Sequence, residues 1–145
     1  MLAEGIELRR TVRARRERVF AAWTRPDLLA RWLFPGSDWT AVVTSDLRVG
    51  GTWSVEMREP SGTVHIQFGV YREIVPVSRL VFTWTCPDLD VTDSVVKVEL
   101  IERGDKTELV LHHVLPDDPK VRNGHEKGWT GCLANLDTLI QGEQQ

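Results

Sequence analysis

Pro119-Lys120-Val121-Arg122-Asn123-Gly124-His125-Glu126-Lys127-Gly128-Trp129-Thr130-Gly131-Cys132-Leu133-Ala134-Asn135-Leu136-Asp137-Thr138-Leu139-Ile140 is the stretch that decides the fold of this chain. Within it His125, Trp129, Cys132, Leu133, Leu136, Leu139 and Ile140 recur at helical spacing and form one apolar stripe. This is the longest helix in the chain, and its stripe has to lie on a large apolar surface. Gly128 and Gly131 each cost on the order of 1 kcal/mol in a helix interior relative to Ala. Such a cost points to close backbone approach to the sheet, or to room left for a guest.

The surface for that helix comes from the residues before it. Ile6, Leu8, Val12 and Ala14 alternate with polar neighbours, as a half-buried strand does, and Arg10 falls on their face. Val19, Phe20 and Trp23 then give a short helix. Pro26 breaks it and opens a second, with Leu28, Leu29, Trp32 and Leu33 as its stripe. From Thr40 to about residue 114 the period is two. Trp53, Val55 and Met57 alternate with polar residues, and Pro60-Ser61-Gly62 turns the chain. Val64, Ile66, Phe68 and Val70 follow on one face, with His65, Gln67 and Tyr71 opposite. Leu80, Phe82 and Trp84 come next, then a loop from Cys86 to Thr92, then Val96, Val98 and Leu100, then Thr107, Leu109, Leu111 and His113. Strands joined by short turns make an antiparallel meander with one face packed. The reading is α+β: one domain over residues 1–145, a curved antiparallel sheet wrapped on a long C-terminal helix, with two short helices after the first strand.

Composition narrows the function classes. Apolar residues make up 41% and charged residues 27% of 145, which is globular composition. A net charge of −3 provides no field for a polyanion and speaks against nucleic acid. Apolar runs fall short of the roughly 20 residues of a membrane span. Met1 to Gly5 lacks the layout of a signal peptide, so a cytoplasmic location is expected, with Cys86 and Cys132 as buried thiols. Six tryptophans are present, and rings of that size dominate a core or line a pocket in it.

Several local motifs occur in this order: Val19-Phe20-Ala21-Ala22-Trp23-Thr24, Arg31-Trp32, Asp46-Leu47-Arg48-Val49-Gly50-Gly51, Gly69-Val70-Tyr71-Arg72-Glu73-Ile74, Arg79-Leu80-Val81-Phe82-Thr83-Trp84, Thr107-Glu108-Leu109, His113, and Gly128-Trp129 followed by Leu133 and Leu136. Together they resemble the activator of heat-shock protein 90 ATPase homologue-like family of the START-like (SRPBCC) superfamily. The resemblance implies the helix-grip fold, as in the birch-pollen allergen, with a cavity between sheet and long helix. Relatives include lipid carriers, polyketide cyclases, hormone receptors and co-chaperone domains, so fold alone does not fix function. Eukaryotic co-chaperones of the family carry an additional N-terminal domain that this sequence lacks, which makes a chaperone partner doubtful.

The expected pocket draws on Trp53, Met57, Phe68, Trp84, Leu111 and His113 from the sheet, Trp32 from the short helices, and Trp129 with Leu133 from the long helix. His125 and Arg10 are candidate polar anchors. His113 and His125 could orient a carbonyl or hydroxyl or act as a base; the structural alternative is a hydrogen-bonded histidine. Arg10 could hold an acidic guest, or it could sit at the sheet's edge. His112 and His113 point to opposite faces of a strand, and no metal spacing occurs elsewhere, so neither metal nor cofactor is expected. No G-x-S-x-G elbow or phosphate loop occurs. The function expected is binding of a small hydrophobic or amphipathic molecule. The alternatives are a cyclase- or hydrolase-type enzyme and a protein-interaction module. Two absences weigh against those alternatives: no inward pair of titratable groups is evident, and no large outward apolar stripe.

Overall fold

Alternation, turn chemistry and the terminal stripe are realised as a seven-stranded antiparallel sheet gripping one long helix. The computed structural model describes residues 5–143. The elements are β1 (Ile6–Val12), α1 (Arg16–Thr24), α2 (Pro26–Leu29), β2 (Thr40–Ser45), β3 (Thr52–Arg58), β4 (Val64–Val75), β5 (Arg79–Cys86), a 3₁₀ turn (Pro87–Leu89), β6 (Val91–Arg103), β7 (Lys106–Val114) and α3 (Pro119–Glu143). The spatial order is β1-β7-β6-β5-β4-β3-β2. Only β1 leaves sequence order, crossing to pair with β7 (Leu8 opposite Leu111) while α1 and α2 fill the gap before β2. This is the α+β helix-grip arrangement expected. The loop expected from Cys86 to Thr92 is shorter than that, because the 3₁₀ turn returns the chain to β6 at Val91.

The start of α3 is set locally. Pro119 takes the first turn, where its missing N–H costs nothing, and Asp118 Oδ1 accepts from the Lys120 N–H at 3.0 Å. Its stripe of Val121, His125, Trp129, Cys132, Leu133, Leu136 and Ile140 is buried. Against it stand Val96, Val98 and Leu100 of β6, Leu109 and Leu111 of β7, and Leu80, Phe82 and Trp84 of β5, all buried. Each such side chain contributes about 1.5–3 kcal/mol of transfer free energy.

One strand faces the other way from the sequence reading. Val64, Ile66, Phe68 and Val70 of β4 point to solvent, Phe68 at 44% exposure, while His65, Gln67 and Tyr71 turn inward. Cross-strand register is the cause. Met57 pairs with His65, Val55 with Gln67 and Trp53 with Gly69, so the buried face of β3 commits those β4 residues to the same side. An outward apolar stripe therefore exists, contrary to the expectation that there was none.

The helix glycines divide the two roles proposed for them. A Cβ on Gly131 would stand 2.0 Å from the Pro35 carbonyl oxygen, so the close approach is to the loop after α2 rather than to the sheet. Asn135 fastens the same loop, its Nδ2 donating to the carbonyls of Phe34 (2.8 Å) and Gly36 (3.1 Å). A Cβ on Gly128 would meet nothing within 4 Å.

Sheet and helix are also joined by a buried polar relay. The Trp129 Nε1–H donates to His113 Nδ1 at 3.1 Å, which places the ring proton on Nε2. That N–H donates to Ser94 Oγ at 2.7 Å, and the Ser94 hydroxyl donates to the Trp84 carbonyl at 2.6 Å. His113 is fully buried, and desolvation pushes its pKa down from 6.5 to about 2, with the nearby His125 and His112 adding to the effect. His113 is thus a satisfied structural histidine.

Two predictions follow from these contacts. Gly131→Ala should destabilise by about 1–3 kcal/mol because the Pro35 carbonyl must move. Gly128→Ala should stabilise by up to about 1 kcal/mol through helix propensity alone; urea denaturation separates the two. The unfolded chain takes up a proton at His113 below pH 6.5 that the folded chain refuses until about pH 2. Stability is therefore full above that range and falls with acid, by at most about 1.4 kcal/mol per pH unit for this group. His113→Phe should cost about 1–3 kcal/mol at pH 7 by orphaning the Trp129 N–H, and denaturation at pH 7, 5.5 and 4.5 should show a flatter acid limb.

Candidate functional site

Where α3 carries Gly124 and Gly128, it leaves a cavity of about 230 Å³ between itself and the sheet. Met57 of β3, His65 and Gln67 of β4, and Trp84 and Cys86 of β5 form its floor. His125, Trp129 and Cys132 of α3 form its roof, with Leu89 of the 3₁₀ turn beside them. Pro35 and Trp39 close one side from the loop after α2, and Asp88 stands at the rim. At about 30 Å³ per water, the space holds roughly eight waters, or a guest of about ten heavy atoms.

The tryptophan walls are mutually braced. Trp84 lies 5.0 Å from Trp129 and 5.4 Å from Trp53, and Trp129 stacks on Trp23 at 6.0 Å. Such offset and tilted pairs add about 0.5–1.5 kcal/mol each beyond area burial. Behind Trp84 and Trp129 a second void of about 20 Å³ reaches Trp23, Trp53 and Phe82, too small for anything beyond a water.

Of the residues expected to build the pocket, Met57, Trp84, Trp129 and His125 line it. Trp53 borders only the small void. Trp32 is fully buried between the short helices, its Nε1–H donating to the Ala22 carbonyl at 2.9 Å, and Leu111 and His113 are core. Phe68 is on the outer face. Leu133 and Arg10 share a different groove, between β1 and α3. Arg10 is exposed there on an edge strand and donates to the Arg9 carbonyl at 2.8 Å, which is the structural alternative for that residue.

Trp39, His65 and Gln67 are the important additions. His65 stacks on Trp39 at 5.5 Å, its Nε2 lies 2.5 Å from Glu59 Oε2, and its Nδ1 contacts Asp88 Oδ2. Both ring nitrogens face carboxylates, and these hydrogen bonds, that to Glu59 first, raise the pKa. The two carboxylates on either side of the ring favour its protonated form. A cluster of titratable groups therefore stands at the rim of the cavity. Hairpin symmetry around Pro60-Ser61-Gly62 is the signal that could have placed His65 and Gln67 inside.

Three side-chain polar atoms of cavity-lining residues are buried without a protein partner. His125 donates from Nδ1 to the Val121 carbonyl at 2.9 Å, which leaves Nε2 as a buried acceptor. Burial lowers the pKa of this ring. Gln67 donates from Nε2 to Cys86 Sγ at 3.5 Å and leaves Oε1 open. The Trp84 Nε1–H is an unpartnered donor.

Known proteins share this architecture. A Chromobacterium violaceum protein is 30% identical over 94% of this chain and 96% of its own, with a TM-score of 0.79. The structure from Silicibacter pomeroyi that bears the name AHSA1 is 24% identical over 95% of this chain and 98% of its own, with a TM-score of 0.82. An Arthrobacter aurescens protein, 20% identical over 97% of this chain and 87% of its own, reaches a TM-score of 0.85. No curated protein matches in sequence. The family described as activator of Hsp90 ATPase homolog 1-like protein matches residues 13–141. With that match running from α1 through the six strands β2–β7 and most of the gripped helix, the chain belongs to the activator of Hsp90 ATPase homolog 1-like family.

Proposed function

We propose that this chain binds a small hydrophobic or amphipathic molecule in the cavity between the sheet and α3. The observation that carries the reading is the bare stretch of helix at Gly128, which leaves a tryptophan-walled space open. A Cβ at Gly128 would meet nothing within 4 Å and would favour the helix, yet the cavity would lose volume. Pockets lined mostly by apolar and aromatic groups with a few fixed polar atoms are how small molecules are held. The volume suits a fused bicyclic aromatic and is too small for a steroid or a long acyl chain.

A second reading gains one observation. His65 and Asp88, hydrogen-bonded to each other on the cavity lining, could exchange a proton with a guest, which would suit the acid step of a cyclase- or hydrolase-type reaction. His113, fully buried in the core and outside the cavity lining, could not take that part.

Titration with naphthalene-sized aromatics should quench tryptophan emission saturably, because Trp84 and Trp129 line the space. Gly128→Phe should abolish the quenching while raising or preserving Tm. Equal quenching in both proteins would overturn the reading, as would no response to any aromatic together with no small mass retained in native mass spectrometry of the protein purified from its source.

A further inference from the structure

We infer that a second copy of this chain adds to the sheet along β2, antiparallel about a two-fold axis at Val43, and that the product is a weak, closed dimer. The sheet ends in β1 on one side and in β2 on the other. An edge strand offers unpaired N–H and C=O groups, and soluble proteins guard such edges with charge, proline or a bulge. β1 is guarded, with Glu7, Arg9 and Arg10 exposed along it. β2 reads Thr40-Ala41-Val42-Val43-Thr44-Ser45, without charge or proline and in unbroken register with β3. Its Val42 is 63% exposed. The loop after β2 does not cross this edge, because Gly50 and Gly51 exchange hydrogen bonds with Tyr71 of β4, at 2.8 and 2.9 Å, beyond β3.

Backbone phase and charge select the occupant. The Asp46 N–H donates to the Thr52 carbonyl at 2.9 Å, continuing the pairing of Thr44 with Ser54. Hydrogen-bonded pairs alternate along antiparallel strands, so the even-numbered residues of β2 turn their N–H and C=O toward β3. Ala41, Val43 and Ser45 turn theirs to the free edge, where no other backbone group among the described residues takes them. These three are spaced symmetrically about Val43. In an antiparallel second copy Val43 meets Val43 and Ala41 meets Ser45, so every free donor finds an acceptor. The same register sets Val42 beside the second copy's Thr44 and Thr40 beside its Asp46. Arg58 is the neighbour of Thr40 on β3; it is exposed, has no ion pair among the described residues, and makes one long hydrogen bond to the Gly62 carbonyl at 3.5 Å. Asp46 uses only Oδ2, for Arg48 at 2.7 Å. Arg58 and the second copy's Asp46 then stand two strands apart, about 10 Å at the backbone, a gap their side chains bridge, and the axis makes that pair twice. Pairing β2 with β1 would instead be head-to-tail and open-ended, with the charges of β1 set against an uncharged strand. Six strand residues span about 20 Å, so the interface falls below about 1,200 Å², in the transient class.

Sedimentation velocity of the full chain from about 5 to about 500 μM should show a reversible monomer–dimer equilibrium with a Kd of roughly 10–100 μM. Val42→Lys, which guards the edge, should weaken it by about tenfold. Arg58→Glu alone and Asp46→Arg alone should each weaken it by about tenfold, since each sets like charges together twice. An equimolar mixture of those two variants should regain the wild-type affinity, because both pairs in the mixed dimer again join opposite charges. All three sites are exposed, and circular dichroism checks that each variant keeps its fold. Without any variant, amide exchange at Ala41, Val43 and Ser45 should slow as concentration rises, while Val42 and Thr44, already bonded to β3, stay unchanged. A chain that remains monomeric at about 500 μM overturns the inference. So does a dimer indifferent to Val42→Lys and to the charge exchange, which would mean that the copies meet elsewhere. Protection of the three amides only when a different protein is added would assign the edge to that partner and overturn it equally.

Discussion

The indole of Trp129 is the junction on which the rest of the structure depends. Its ring stacks on Trp23 of α1, packs 5.0 Å from Trp84 of β5, and gives its N–H to His113 of β7. Apolar burial alone would hold α3 against the sheet but would not fix its rotation, since a stripe of Leu and Ile can slide by a fraction of a turn. A directional hydrogen bond inside a desolvated core cannot slide without being lost. The relay from Trp129 through His113 and Ser94 to the Trp84 backbone therefore sets the rotation of α3. With it come the positions of Gly124, His125 and Gly128 over the floor.

The second constraint is the clamp at the other end of the cavity. Gly131 lets the Pro35 carbonyl come against the helix, and Asn135 holds the adjoining carbonyls. Trp39 is carried on this fastened loop to its place against His65. The walls are thus fixed by polar contacts around the space, while three buried polar atoms of its lining residues are left unpaired.

Most of the fold was legible in the residues. The period-two runs, the Pro26 and Pro119 helix starts and the stripe ending at Ile140 all correspond to elements of the structure. The site was legible only in part, for a reason visible in β4. Hydrophobicity placed Val64, Ile66, Phe68 and Val70 inside, yet their partners across β3 fix the opposite face. In a hairpin of odd loop length, residues equally distant from the turn share a face, so Trp53, Val55 and Met57 commit Gly69, Gln67 and His65. Geometry outranks polarity there, because a one-residue slip would turn all of β3 to water. The tryptophans misled in another way. Trp32 is as large as Trp84, and only the three-dimensional path of the short helices decides that it fills the core.

The bare helical position at Gly128 also bears on how such a scaffold can diverge. Capacity is governed there by a residue that contributes nothing to the grip of α3 on the sheet, so holding volume and folding are separable traits. A lineage could narrow or widen its chamber by single replacements at that position, with the strands, the relay and the clamp untouched. One architecture could in that way serve many occupants of different bulk without passing through an unstable intermediate.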